Sequence, residues 1–141
     1  MNEKRALAIC PAAELPPGER RIVDLGDGRS IGVFNVKGKY YALRNLCPHA
    51  GAELCRGVVT GMNEAAGVGE YRWVREGEIL RCPWHGWEFD IRTGQSWCDP
   101  KSTKVRAFQV KVEPGEELVK GPYVAETFSV AVEEDYLIIE M

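Results

Sequence analysis

The two histidines of this 141-residue chain each stand close to a cysteine, and no other feature constrains the fold as strongly. The first box reads Leu46-Cys47-Pro48-His49-Ala50-Gly51, and the second Arg81-Cys82-Pro83-Trp84-His85-Gly86-Trp87. One residue separates Cys47 from His49, and two separate Cys82 from His85. Each pair lies on a segment bent by a proline within it or a glycine after it, so both side chains of one segment can converge on one centre. Two thiolates and two imidazoles make a ligand set for zinc or for an iron–sulfur cluster of mixed ligation. A chain that uses both boxes at one centre must fold so that two loops, separated by residues 50–81, end side by side.

The order of the ligands separates the two metals. Zinc fingers usually draw two cysteines from one arm and two histidines from the other. Here each arm supplies one of each, which suits a binuclear cluster with both thiolates on one iron and both imidazoles on the other. The cysteine count agrees: five is odd, so a complete disulfide framework cannot account for them. In a reducing compartment, cysteines at motif spacing are metal ligands more often than bridges. Cys10, Cys55 and Cys98 then remain as free thiols.

Around the boxes the pattern is mostly β. Residues 31–36 and 40–43 read as two strands joined by a tight turn at Lys37-Gly38-Lys39. Residues 105–112 alternate, with Val105, Ala107 or Phe108, Val110 and Val112 on one side. Residues 128–132 alternate as well, and Glu133-Glu134-Asp135 turns the chain into a strand over 136–140. Residues 20–25 read as a strand entered after the loop Leu15-Pro16-Pro17-Gly18-Glu19. No segment holds a helical period over three turns. Short strands punctuated by Gly and Pro predict a sandwich or barrel. Residues 57–77, rich in glycine and polar filler, read as a long exposed loop or floppy hairpin. The length fits one domain, 1–141, and 45% apolar with 28% charged residues is the balance of an ordinary globular chain. A net charge of −3 and scattered basic residues (Lys4, Arg5, Arg20, Arg21, Lys101, Lys104, Arg106) argue against nucleic acid. The longest apolar runs, such as Leu137-Ile138-Ile139, are too short for a bilayer, and a polar N-terminus makes a cytoplasmic location the expectation.

The boxes C-P-H-A-G and C-P-W-H-G-W-E-F-D resemble the two cluster-binding loops of Rieske proteins, most closely the ferredoxins and oxygenase components of bacterial ring-hydroxylating systems. Asp90-Ile91-Arg92-Thr93-Gly94 continues the likeness, as does Pro100, where the family often has a loop shielding the cluster. The resemblance is specific over residues 45–51 and 80–100 and rests on general strand pattern elsewhere. The spacing between the boxes is a departure, about twice that of compact members, and residues 57–77 account for the excess.

This resemblance implies an all-β fold, an antiparallel β-sandwich with a small cluster-binding subdomain of two ligand loops at about 45–100. It implies one Rieske-type [2Fe–2S] cluster per chain, with Cys47 and Cys82 on the inner iron and His49 and His85 on the outer, surface-facing one. The implied role is carriage of single electrons from a flavin-containing reductase to a terminal acceptor, such as an oxygenase or another oxidoreductase. No room is left for a mononuclear-iron domain and no histidine remains to build one, so no catalytic residue is assigned. The competing readings are a permanent subunit of a larger oxidoreductase (the small subunit of a nitrite reductase is the example), a redox-sensing binding module, and a zinc-stabilised interaction domain.

Trp87 and Phe89 are expected in the core beneath the second loop, and Trp84 over the cluster. Gly51 and Gly86 are expected to aim backbone N–H groups at cluster sulfurs. High-potential relatives carry a serine just after the glycine of the second box, a tyrosine two residues on, and a disulfide tying the loops together. Trp87, Phe89 and the Ala52/Trp84 pair stand at those places here, which implies a low potential.

Overall fold

Nine strands run through the described residues (6–25, 28–48, 51–84, 86–96, 104–115 and 134–140) of the computed structural model. A six-stranded sheet has the order β1 (Ala6–Pro11), β9 (Asp135–Glu140), β8 (Ala107–Pro114), β4 (Lys39–Arg44), β3 (Ser30–Val36) and β2 (Arg20–Asp24). A three-stranded sheet has the order β5 (Val58–Gly67), β6 (Glu70–Arg81) and β7 (Glu88–Asp90). Every pairing is antiparallel, as the strand pattern and the resemblance both imply.

The β3–β4 hairpin turns where expected. Val36 pairs with Lys39, and Lys37 (φ 53°) and Gly38 (φ 91°) form a two-residue loop with both φ angles positive, the turn whose twist matches the flanking strands. The Gly38 N–H donates to Asn35 Oδ1 (2.8 Å), and Asn35 Nδ2 donates to the Leu15 carbonyl (2.9 Å), so this buried amide is satisfied.

Residues 31–36 of β3 are buried without interruption because both faces of the strand are covered. Ile31 and Val33 join Ile9, Phe108, Leu137 and Ile139 in one core. Phe34 and Val36 face a second core with Leu43, Leu54, Leu80 and Phe89, and this core also contains Cys47 and Cys82. Between them Gly32 leaves room for Cys55, whose sulfur would lie 2.5 Å from a β-carbon at that position. Burying one such aliphatic or aromatic side chain contributes about 1.5–3 kcal/mol, against about 0–1 kcal/mol for an exposed ion pair. Packing, then, fixes the base on which the two cysteine loops stand.

Residues 57–77 take the hairpin form of the two alternatives. β5 and β6 are joined by Val68-Gly69 and bend sharply partway along. There residues 75–78 of β6 stand opposite Gly61 alone, and Arg75 (φ 55°) and Gly77 (φ 83°) take left-handed backbone. The base packs, with Ile79 and Leu80 buried, while residues 70–73 are exposed. β1 and β7 were not legible in the sequence pattern. β8 begins at Ala107 and turns Phe108 inward and Ala107 outward. The strand expected over residues 128–132 lies outside the described residues.

Charged side chains tie the two sheets together at the bend. Glu78 accepts from Lys37 Nζ (2.8 Å) in the β3–β4 turn and from Arg75 Nε (2.9 Å), while Arg75 also donates to Asp90 (2.7 Å). Hydrogen bonds from Lys37, then Arg75, hold the Glu78 carboxyl at a pKa of about 2. A carboxylate whose pKa is depressed by folding contributes stability that is complete above its unfolded pKa and disappears as pH falls through the folded one. Glu78→Gln is therefore expected to cost about 1 kcal/mol at neutral pH, the solvent-exposed Lys37 being partly screened. The deficit should shrink between about pH 4.5 and 2. Urea unfolding of both proteins across that range checks it, and a pH-independent difference would refute the assignment.

Candidate metal centre

β4 delivers the first cysteine loop and β6 the second, and the two loops fold alike. In the first, the Cys47 N–H donates to the Ala52 carbonyl (2.9 Å) and the Gly51 N–H to the Cys47 carbonyl (2.8 Å). In the second, the Cys82 N–H donates to the Trp87 carbonyl (2.7 Å) and the Gly86 N–H to the Cys82 carbonyl (3.1 Å). Each loop is thus a closed six-residue turn from the cysteine to the fifth residue after it, although the histidines sit at different offsets. Gly51 (φ 77°) and Gly86 (φ 71°) make the closure possible, since only glycine enters left-handed backbone without steric cost. The expectation that these two amides point at cluster sulfurs is corrected by this geometry. Each N–H donates instead to the carbonyl of its own cysteine, four residues earlier.

Cys47 and Cys82 are brought together in the same apolar core and are almost wholly buried, at 1% and 2% exposure. Neither is held in a disulfide, and the same is true of Cys10 and Cys55. His49 and His85 lie outside the described residues, as do Cys98 and Pro100. Pro48, Leu46, Pro83 and Trp84 around the cysteines are exposed, Leu46 at 40% and Trp84 at 64%. Each loop therefore buries its thiol and presents apolar side chains outward. Phe89 is fully buried in β7 and Trp87 packs half-buried against the same core, as expected of both.

Beyond the second loop, Asp90 closes the turn that the motif D-I-R-T-G encodes. Its Oδ1 accepts from the Arg92 N–H (2.9 Å) and its carbonyl from the Gly94 N–H (2.7 Å). Gly94 (φ 79°) is required there, because a β-carbon would lie 2.1 Å from the Val105 carbonyl oxygen. Cys55 is the third thiol of this core. Burial pushes its pKa up to about 12, and its sulfur lies 3.7 Å from the Leu43 carbonyl. Sequence reasoning missed Asn45, which is buried beneath the first loop; a polar residue closing a strand two positions before a cysteine was the available signal.

Two buried thiols on matched loops, each loop with a histidine between its cysteine and its closing carbonyl, fit the donor chemistry of a mixed thiolate–imidazole iron–sulfur cluster. Comparison with known proteins agrees. The Rieske [2Fe-2S] domain family matches residues 5–109. Ferredoxin CarAc of Metapseudomonas resinovorans is 28% identical over 115 residues, covering 82% of this chain and 92% of that protein. The ferredoxin subunit of the 3-phenylpropionate/cinnamic acid dioxygenase of Escherichia coli K12 is 27% identical over 113 residues, covering 80% and 91%. In fold, the chain is similar to a putative NADH-dependent nitrite reductase small subunit of Mycobacterium tuberculosis, with a TM-score of 0.63 at 20% identity and coverage of 99% and 97%.

Proposed function

Since the chain belongs to the Rieske [2Fe-2S] domain family, we propose that Cys47, His49, Cys82 and His85 hold its cluster and that the protein relays single electrons from a flavin-containing reductase to a terminal oxygenase. The observation that carries this reading is the congruence of the two cysteine loops over one buried core. When bound, the Rieske-type [2Fe–2S] cluster supplies a one-electron couple in which two neutral imidazoles replace two thiolates and make reduction easier than in an all-cysteine cluster. The chain's own residues do the rest. Leu43, Leu54, Leu80 and Phe89 keep water from the thiolate side, while Leu46 and Trp84 offer an apolar face to a docking protein. A short-lived complex suits such a face, because aromatic and aliphatic anchors exclude water without fixing a long-lived charge pair.

The low-temperature EPR spectrum of the dithionite-reduced protein tests the cluster and its ligand type together. A colourless preparation that binds zinc would overturn the reading. The oxygenase as acceptor is supported by the sequence relative that serves a dioxygenase. The permanent-subunit alternative is supported by likeness of fold to the nitrite reductase small subunit, and gel filtration with co-purification separates a free shuttle from a fixed subunit. No helix of the described residues is long and apolar enough to cross a membrane. We place the relay in the cytoplasm, where the reducing environment keeps unligated thiols such as Cys10 and Cys55 reduced.

The hairpin supplies a further prediction. Its distal half, with Tyr71 and Trp73 exposed, stands at the end of β6 opposite the Cys82 loop. Shortening residues 61–77 to a tight turn is expected to leave the EPR spectrum intact and to change the rate of electron delivery to the partner. Loss of the cluster on shortening would show the hairpin to be a structural support instead.

A further inference from the structure

The two loops are alike inside but are closed at their mouths by different means. Across the mouth of the second, the strands on either side pair directly: Arg81 with Glu88, Leu80 with Phe89 and Ile79 with Asp90. The first has no such ladder among the described residues. β4 ends at Arg44, and the returning limb is Glu53 followed by the single 3-10 turn Leu54–Arg56. Besides the Cys47–Ala52 backbone bond and the long contacts of the Cys55 thiol with the Leu43 and Arg44 carbonyls, what joins the two limbs is one side chain. Asn45 Oδ1 accepts from the Cys55 N–H at 2.7 Å, and Asn45 Nδ2 reaches Glu53 Oε1 at 3.4 Å and Ser30 Oγ at 3.3 Å. The Asn45 N–H meanwhile donates to the Ser30 carbonyl (2.8 Å), which anchors the amide to the start of β3. Asn45 is buried, and its bond from the Cys55 N–H is made away from bulk water, where leaving a donor unpaired is costly, while its contacts with Ser30 and the exposed Glu53 lie nearer the surface.

We infer that Asn45 is the positioning residue of the first ligand loop, a side-chain clamp that does for the Cys47–His49 arm what strand pairing does for the Cys82–His85 arm. The inference rests on the ligand assignment proposed above. The clamp acts through the ligands of that arm, its own hydrogen bonds going to Ser30, Glu53 and Cys55. One buried amide takes the place of a ladder of backbone bonds, so the ligands of the first arm are the first to let go when the site is perturbed.

The test uses the loaded protein. Chelator-driven bleaching of the visible absorbance is followed for wild type, Asn45→Ala, Asn45→Asp and the double variant Asn45→Asp/Glu53→Gln, together with the EPR line shape of each reduced protein. Removing a group that orients metal ligands typically weakens metal retention about 10- to 100-fold, and Asn45→Ala is expected in that range, with broadened g-values. Asn45→Asp keeps the acceptor for the Cys55 N–H but sets a carboxylate against Glu53, so it should bleach faster than wild type. The double variant reverses the polarity of that contact, with the side-chain amide brought in by Glu53→Gln donating to the carboxylate brought in by Asn45→Asp. It should return to within a few-fold of wild type. Failure of Asn45→Ala to load a cluster at all agrees with the inference, provided that the double variant loads. Wild-type bleaching and line shape in Asn45→Ala, or no rescue in the double variant, overturns it. A wild-type protein without a Rieske spectrum would instead refute the ligand assignment itself, so the two failures are distinguishable.

Discussion

Alanine at His49 or at His85 is expected to abolish the Rieske-type EPR spectrum and to lower cluster content by at least about tenfold. Each histidine lies within a loop closed by a hydrogen bond from its cysteine to the fifth residue after it, so no neighbouring side chain of that loop can take over. The remaining residues there are proline, alanine, glycine and tryptophan, none of which ligates iron through its side chain. Metal binding and local folding are coupled, because deprotonated ligands converge only when the centre repays their ordering. The two cysteine loops should accordingly lose their order while β3, β4 and the first core persist. Iron and acid-labile sulfide analysis with EPR measures the first effect, and far-UV circular dichroism the second. A normal spectrum in either single variant would remove that histidine from the ligand set.

The second large effect concerns the reduction potential. Donors to the cluster sulfurs stabilise the reduced, more negative state and raise the potential. The hydroxyl-bearing positions of high-potential relatives correspond to Trp87 and Phe89 in this chain. Phe89 is fully buried in β7 and Trp87 packs against the same core, so neither place has a hydroxyl and both are filled by rings. The two Gly amides nearest the cysteines are committed to carbonyls. Buried Ala52 and exposed Trp84 stand where a loop-bridging disulfide would be. All of these push the same way, toward a potential near the low end of the Rieske range, roughly −150 mV against about +300 mV at the top. Such a donor suits an oxygenase better than an oxidant of quinols. Trp87→Ser combined with Phe89→Tyr should raise the value. Cyclic voltammetry of the wild type above about +100 mV would reverse the argument and favour quinol oxidation.

Much of this was legible from residue order because the local chemistry is sharp. Cys-Pro-x-His-Gly has few structural readings, and the Lys37-Gly38 turn between two β-branched and aromatic runs has essentially one. Phe89 and Trp87 were readable as core because aromatic residues flanking a ligand loop need a dry partner. The outcome for residues 57–77 was less determined. Seen alone, its glycines signal a loop, yet Gly61 serves a close approach to the Val74 carbonyl and Gly77 a bulge, both of which bend a strand without ending it. β7 escaped notice because three residues carry almost no periodicity, and its existence depends on pairing with β6. The direction of the Gly51 and Gly86 amides depends on how each loop closes onto its cysteine carbonyl, which the residue type permits but does not dictate. Asn45 was invisible as a clamp for a similar reason: its partners, Cys55, Glu53 and Ser30, are defined only once β3 and β4 have paired.

Cys55 bears on which sulfurs the site uses. Three thiols share the second core, and the ligand set proposed above uses two of them. Ligation requires the thiolate, and burial holds Cys55 protonated to a pKa of about 12 with its sulfur turned toward the carbonyls of Leu43 and Arg44. The third sulfur thus keeps its proton and its two carbonyl contacts, and in the ligand assignment proposed above it stays outside the ligand set. That place exists because position 32 has no side chain: a β-carbon there would lie 2.5 Å from the Cys55 sulfur.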